Sequence, residues 1–195
     1  MTMQIKDSVR FQGTDYSIII TDPPLLFSPQ EYGITPHYCC TACYRGFYCV
    51  YSVENNNLLL SSLFIHSKNN CSPPIKNIAP ITEKPSVLFN MRHCAYRGLS
   101  LPTNFTGSML VGNGLIHTAQ IIGILDSPWQ YHKLLDLQFA DGHLIAIKDE
   151  SDTAEDIRKF IRREQRNSNS SENIVHLSHA VLGFISDYPW WIKRY

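Results

Sequence analysis

Tyr38-Cys-Cys-Thr-Ala-Cys-Tyr-Arg-Gly-Phe-Tyr-Cys-Val-Tyr-Ser-Val53 holds four of the six cysteines and four of the ten tyrosines in a chain of 195 residues. The string supports three incompatible readings. Cys40 and Cys43 form a CxxC that could be half of a zinc site or a redox dithiol, the aromatics could form an exposed gripping face, or the whole run could be one packed β-strand. Strand alternation favours the last. Successive side chains of an extended chain point to opposite faces, so Tyr38, Cys40, Ala42, Tyr44, Gly46, Tyr48 and Val50 share one face, while Cys39, Cys43, Phe47, Cys49, Tyr51 and Val53 share the other. Both faces are largely apolar, which predicts a central strand covered on two sides. Arg45 is the one charge in the run, and a guanidinium placed there needs a carboxylate or carbonyl partner.

The same alternation counts against metal. Cys40 and Cys43 are an odd step apart and fall on opposite faces, and only a tight knuckle would join them, with no glycine before Gly46. Cys39 and Cys43 share a face but would lie about 13 Å apart at the strand rise per residue. A structural zinc site needs four tetrahedral ligands in two close pairs, and the second pair is missing; His66, Cys71, His93 and Cys94 offer no paired spacing, and His93 and Cys94 are adjacent. No metal and no cofactor are expected, and a zinc-stabilised module is the third reading. In a reducing compartment the cysteines are expected to remain thiols and to serve as small core residues.

Working outward, Val9 to Ile20 alternates as a small hairpin, and the proline-bearing stretch from Asp22 to His37 reads as a surface connection. Asn55-Asn-Asn57 turns the long strand into a second, Leu58 to His66. Residues 67–85 read as an exposed excursion. Val87 to Cys94, Phe105 to Val111 and Leu115 to Leu125 are the next expected strands, with Gly112-Asn-Gly114 turning between the last two. Tyr131 to Phe139 and Leu144 to Ile147 flank Asp141-Gly142, a type I′ hairpin signal. At Ser151 the pattern becomes helical: Asp152 as N-cap with Glu155 three residues on, a stripe of Ala154, Ile157, Phe160 and Ile161, and arginines towards the end. After a polar linker, Ile174 to Ile185 has helical spacing and Pro189 stops it before Trp190 and Trp191. The expected fold class is α+β: a curved antiparallel sheet or partly open β-barrel with one or two C-terminal helices. The expected organisation is a β-rich domain over 1–166 ending in a helix, then a linker, amphipathic helix and aromatic tail over 167–195.

With 17 basic and 17 acidic residues the net charge is zero, so no global field favours nucleic acid or an anionic membrane. The N-terminus has no apolar h-region and no stretch is long enough to span a bilayer, so the chain is expected to be cytoplasmic, without a membrane or nucleic-acid partner. No nucleophile elbow, P-loop, dinucleotide fingerprint or zincin motif occurs. His176 and His179 read as a helix-surface pair. Between Gln120 and Asp156, eight acidic residues face only Lys133 and Lys148, a local excess that could attract a basic partner.

The string Thr41-Ala-Cys-Tyr-Arg-Gly-Phe-Tyr-Cys-Val-Tyr-Ser-Val53, followed by a turn and Leu58-Leu-Leu60, resembles a group of bacterial proteins carrying Thr-Ala, an aromatic, Arg-Gly and a second aromatic ahead of a hairpin. Phe105-Thr-Gly-Ser-Met-Leu-Val111 and Leu135-Asp-Leu-Gln-Phe-Ala-Asp-Gly-His-Leu144 look like that group's later strands. The resemblance spans about residues 8 to 165 and implies a small intracellular β-rich domain; it carries no activity with it. The chain departs from the group in its cysteines and in the C-terminal segment with Trp190 and Trp191.

The leading expectation is a non-catalytic cytosolic protein-binding protein, in particular an immunity protein that neutralises a basic toxin domain, with Asp126, Asp136, Asp141, Asp149 and Glu150 as its partner-binding residues. The alternative is a small-ligand-binding protein or enzyme whose site lies inside the curved sheet, with Arg45, Tyr44, Tyr48 and His132 as its polar groups.

Overall fold

A computed structural model describes residues 4–24, 26–66, 73–83, 93–116, 127–167 and 190–191. Among these residues nine strands, β1 (Ser8–Phe11), β2 (Thr14–Asp22), β3 (Phe47–Glu54), β4 (Asn57–Ile65), β5 (Ile81–Glu83), β6 (His93–Pro102), β7 (Gly107–Leu115), β8 (Tyr131–Ala140) and β9 (His143–Asp149), precede one α-helix, α1 (Ser151–Asn167). The fold is α+β. The strands form one curved sheet in the order β3-β1-β2-β7-β8-β9-β4-β6-β5, and β3 also pairs β4. The curl does not close cleanly, because β9 meets β4 through the single pair Asn57 and His143. Beyond that point β6 takes the edge of β4 from Leu59 onwards. Bulges between Ile18 and Ile20, Leu60 and Ser62, and opposite Gln138 and Phe139 supply curvature, since an extra residue on one strand bends it and increases local twist.

The hairpin signals place the strands as expected. Asn55 and Asn56 adopt positive φ between β3 and β4, as do Asp141 and Gly142 between β8 and β9. From Phe47 onwards the alternation holds: Phe47, Cys49 and Tyr51 join the main core with Val9, Leu60, Leu63, Met109, Val111, Leu137 and Phe139. Tyr48 and Val50 pack on the other face beside Phe64 and Ala95. β3 is therefore central and covered on both sides, between β4 and β1, although its pairing with β1 is parallel.

Four expectations change. β3 begins at Phe47, not Tyr38. Gly112-Asn-Gly114 does not turn but lies inside β7; a Cβ on Gly112 would stand 2.5 Å from Tyr131 Cγ, so the glycine is there for close packing. His93 to Pro102 forms one long strand, β6. The cap of α1 comes from the residues ending β9: Asp149 Oδ1 accepts from Ser151 N and Oγ at 3.0 and 2.6 Å, and Glu150 Oε2 accepts from Thr153 Oγ1 at 2.8 Å. The strand hands over to the helix without a loop, so its last carboxylates meet the exposed first-turn donors. The expected strand residues 87–92 and 117–125, and the second helix with His176 and His179, lie outside the described residues.

α1 covers the outer face of β7 and β8, where Ala154, Ile157 and Ile161 pack on Leu110, Leu134, Trp129 and Trp191. Arg158 is buried with this apolar stripe, 3% exposed. Its Nη1 donates to the carbonyls of Trp129 and Tyr131 at 2.7 and 2.8 Å, and its Nε donates to Glu155 at 2.7 Å. The helix is thus bolted to the short 3-10 turn Pro128–Gln130 that precedes β8. No helix among the described residues is long and apolar enough to cross a membrane.

Arg158→Met keeps the apolar stem but strands two carbonyls, and should cost about 2–4 kcal/mol. A lower urea midpoint with an unchanged denaturant slope is the expected measurement.

Candidate functional site

Residues 38–46 form a compact irregular crossing rather than a strand. Cys43 N donates to the Cys40 carbonyl at 2.9 Å, and Gly46 N donates to Cys43 O at 3.1 Å, so the CxxC closes the tight knuckle that strand geometry had set aside. Gly46 has φ 76°, and a Cβ there would lie 2.1 Å from the His37 carbonyl oxygen. Only glycine admits both the left-handed backbone and the close chain crossing. The N-terminal segment is stitched to this knuckle: Gln4 Nε2 donates to Thr41 O at 2.6 Å, Tyr44 N to Gln4 Oε1 at 3.2 Å, and Ile5 N to Ala42 O at 2.7 Å.

The carboxylate required by Arg45 is Asp7. Arg45 Nη2 and Nη1 donate to its two oxygens at 2.7 and 3.3 Å, and Cys49 N donates to Oδ1 at 2.8 Å. The guanidinium carbon sits 4.7 Å from the Phe47 ring centroid, a cation–π position. Beside this pair opens a groove of about 410 Å³, walled by Gln4–Asp7 and Cys43–Arg45 on one side and Ile18–Thr21 with Leu26 and Phe27 on the other. At its rim Tyr44 is 75% exposed, and Tyr38, 56% exposed, meets it edge-on with ring centroids 5.9 Å apart.

Of the four residues expected to face a ligand, the structure brings two together. Arg45 and Tyr44 line the groove. Tyr48 stacks on Phe64 at 4.6 Å, in a patch where Arg97 lies over the Phe64 ring and pairs with Glu83; burial pushes its hydroxyl up to about 12. His132 is exposed at the start of β8, against Gly114. Side chains of the sheet fill the main core, and the groove opens at its margin, where Ile18 and Phe47 of that core reach the wall.

The expected acidic surface is also dispersed. Asp136 and Glu150 are buried, at 2% and 1% exposure. Asp136 accepts from Trp190 Nε1 at 3.0 Å, and Lys148 Nζ reaches Glu150 at 2.6 Å. Asp149 is paired with Lys133 and caps the helix, which holds it down at about 2, Lys133 contributing most. Asp141 occupies the exposed hairpin turn, and Asp126 lies outside the described residues. Tyr38 and Asp7 were not singled out by sequence reasoning: the knuckle presents Tyr38, and Asp7 reaches Arg45 across 38 positions.

The thiols are packed and free. Cys39, Cys43, Cys49 and Cys94 are buried and Cys40 half-buried, while Cys71 lies outside the described residues. Among the described residues no three of His, Cys, Asp and Glu group to hold a metal ion. Burial, reinforced by neighbouring thiols, pushes Cys39 and Cys43 up to about 11. No family model, curated protein or solved structure matches this chain.

At pH 8 a thiol near 11 is thiolate in roughly one molecule in a thousand. Alkylation mapped by mass spectrometry should therefore find Cys40 modified ahead of Cys39 and Cys43, with all three modified together only in denaturant. Burial also raises the Asp136 carboxyl, against the lowering influence of Trp190. Between its ordinary and raised pKa the folded chain holds a proton that the unfolded chain has released, so stability falls as pH rises through that window and recovers as pH falls. Asp136→Asn cannot titrate and should gain on the wild type as pH rises, as read from urea midpoints at stepped pH.

Proposed function

We propose that this chain is a cytoplasmic binding protein that takes a partner protein on the tyrosine-rimmed groove, in the manner of an immunity protein holding a toxin domain. The observation that carries the reading is the exposed Tyr44, which lines the groove beside Arg45 with Tyr38 edge-on against its ring. Tyrosine and arginine are enriched among residues that dominate binding energy, and an aromatic with two side-chain torsions loses little entropy when it is covered. This surface is already organised: Asp7 and Phe47 fix the guanidinium, and the CxxC knuckle fixes the backbone that carries Tyr44.

Charge is a weaker guide to the partner than the acidic stretch promised. Two of the five named carboxylates are buried and a third is held by a lysine, and the groove itself carries Lys6, Asp7 and Arg45 together. Recognition on this reading rests on aromatic contact and shape more than on attraction of a basic surface. A small molecule is the second reading, because about 410 Å³ falls within the range of small-ligand sites. Native mass spectrometry of the protein purified from its own cytosol would reveal such an occupant as added mass.

The partner is to be isolated by pull-down from native cytosol and then titrated against purified variants. Tyr44→Ala should weaken binding by about 30-fold and Tyr38→Ala by a smaller factor, while Lys159→Ala, on the exposed side of α1, leaves it unchanged. A partner whose affinity ignores both tyrosines, or turnover of a small substrate by the chain alone, would sink the reading.

A further inference from the structure

β9 has the character of an unfinished sheet edge. Six of its seven residues are exposed, Leu144 being the exception, and Ile145 and Ile147 are 65% and 49% exposed. One edge of the strand pairs β8 along its length. The other meets β4 only at its start, through the pair Asn57 and His143 and the bond from Leu144 N to Asn56 O. From Ile145 to Asp149 that edge has no strand neighbour among the described residues, since β6 follows β4 instead. Unpaired backbone flanked by exposed isoleucines is a template for another strand.

We propose that the strand on this edge is β9 of a second copy, paired antiparallel about a two-fold axis near Ala146. In that register Ile145 of each copy faces Ile147 of the other, an apolar cross-strand pair made twice. The histidine end of each strand, His143, then approaches the carboxylate end, Asp149, of its mate. Parallel in-register pairing would instead set Lys148 against Lys148 and Asp149 against Asp149, which is unfavourable. The charge order along the strand thus selects the antiparallel, self-complementary arrangement, and such isologous two-fold contacts are the commonest form of self-association. Ile145 is itself the extra residue of the bulge opposite Gln138 and Phe139, and with the charge of Lys148 it limits the ladder to a few residues, so the dimer is weak and concentration-dependent, in the micromolar range. This surface is separate from the groove, so the dimer and the partner-binding reading stand or fall independently.

Sedimentation velocity on the full chain from about 1 µM to 1 mM should show reversible conversion of monomer to dimer. Ile147→Lys and Ile145→Lys should each keep the chain monomeric across the range with an unchanged circular dichroism spectrum. Because either lysine could disturb the fold, Ala146→Cys supplies a second readout: its place on the symmetry axis should give an oxidised dimer joined through the two introduced thiols, identified by peptide mapping against the native cysteines. A chain that stays monomeric at 1 mM, a dimer that survives both lysine variants, growth beyond two copies, or an Ala146→Cys dimer not linked through position 146 would each overturn the proposal.

Discussion

Asp7 is the point on which the surface architecture turns. Its backbone carbonyl accepts from Ile18 N at 2.8 Å, tying the chain to β2, and its side chain accepts from Arg45 and from Cys49 N, tying it to the knuckle and to β3. The strand β1 that follows can then run between β2 and β3, antiparallel to one and parallel to the other. Ahead of Asp7 the chain leaves the sheet and pairs with Ala42. The groove opens where it leaves. One carboxylate therefore joins three segments; the Asp7 side chain is 13% exposed but Arg45 is 46% exposed, so screening limits what the ion pair itself adds and the hydrogen bond from Cys49 N matters beside it.

How much of this was legible depended on whether the signal was local. Asn55-Asn56 and Asp141-Gly142 are turn sequences whose φ preferences act over two residues, and both hairpins follow from them. The stripe Ala154, Ile157 and Ile161 obeys helical spacing, and the two faces of Phe47 to Val53 obey strand spacing. The segment just before them did not, because residues 38–46 carry the same alternation of apolar types but are bent by contacts with His37, His66 and Gln4 that periodicity does not encode. Gly112 and Gly114 read as turn residues, whereas Tyr131 and His132 on the next strand require the missing side chains. Arg45 announced that a carboxylate must exist; it could not name Asp7.

The cysteines illustrate how a correct conclusion can stand on a different physical footing. The five described ones are packing residues, four buried and Cys40 half-buried, as expected of small soft side chains. The reason is not that a strand separates Cys40 from Cys43, since the knuckle brings them together, but that Cys39 and Cys43 sit against Phe64 and Ala95 in an apolar patch that disfavours their charged form. The acidic stretch teaches the converse. Asp136 looks like surface in a charge count because its partner Trp190 lies 54 positions away in sequence, whereas Glu150 is buried with a near neighbour, Lys148, against it.

Arg158 bears on what counts as a self-sufficient piece of this chain. The last strand among the described residues ends at Asp149, and a division of the protein there would look natural from topology. Yet the carbonyls of Trp129 and Tyr131, which lead into β8, are satisfied by a residue on the helix. A β-rich portion cut there would lose the partner of those two carbonyls, so the helix is part of what stabilises the sheet it follows.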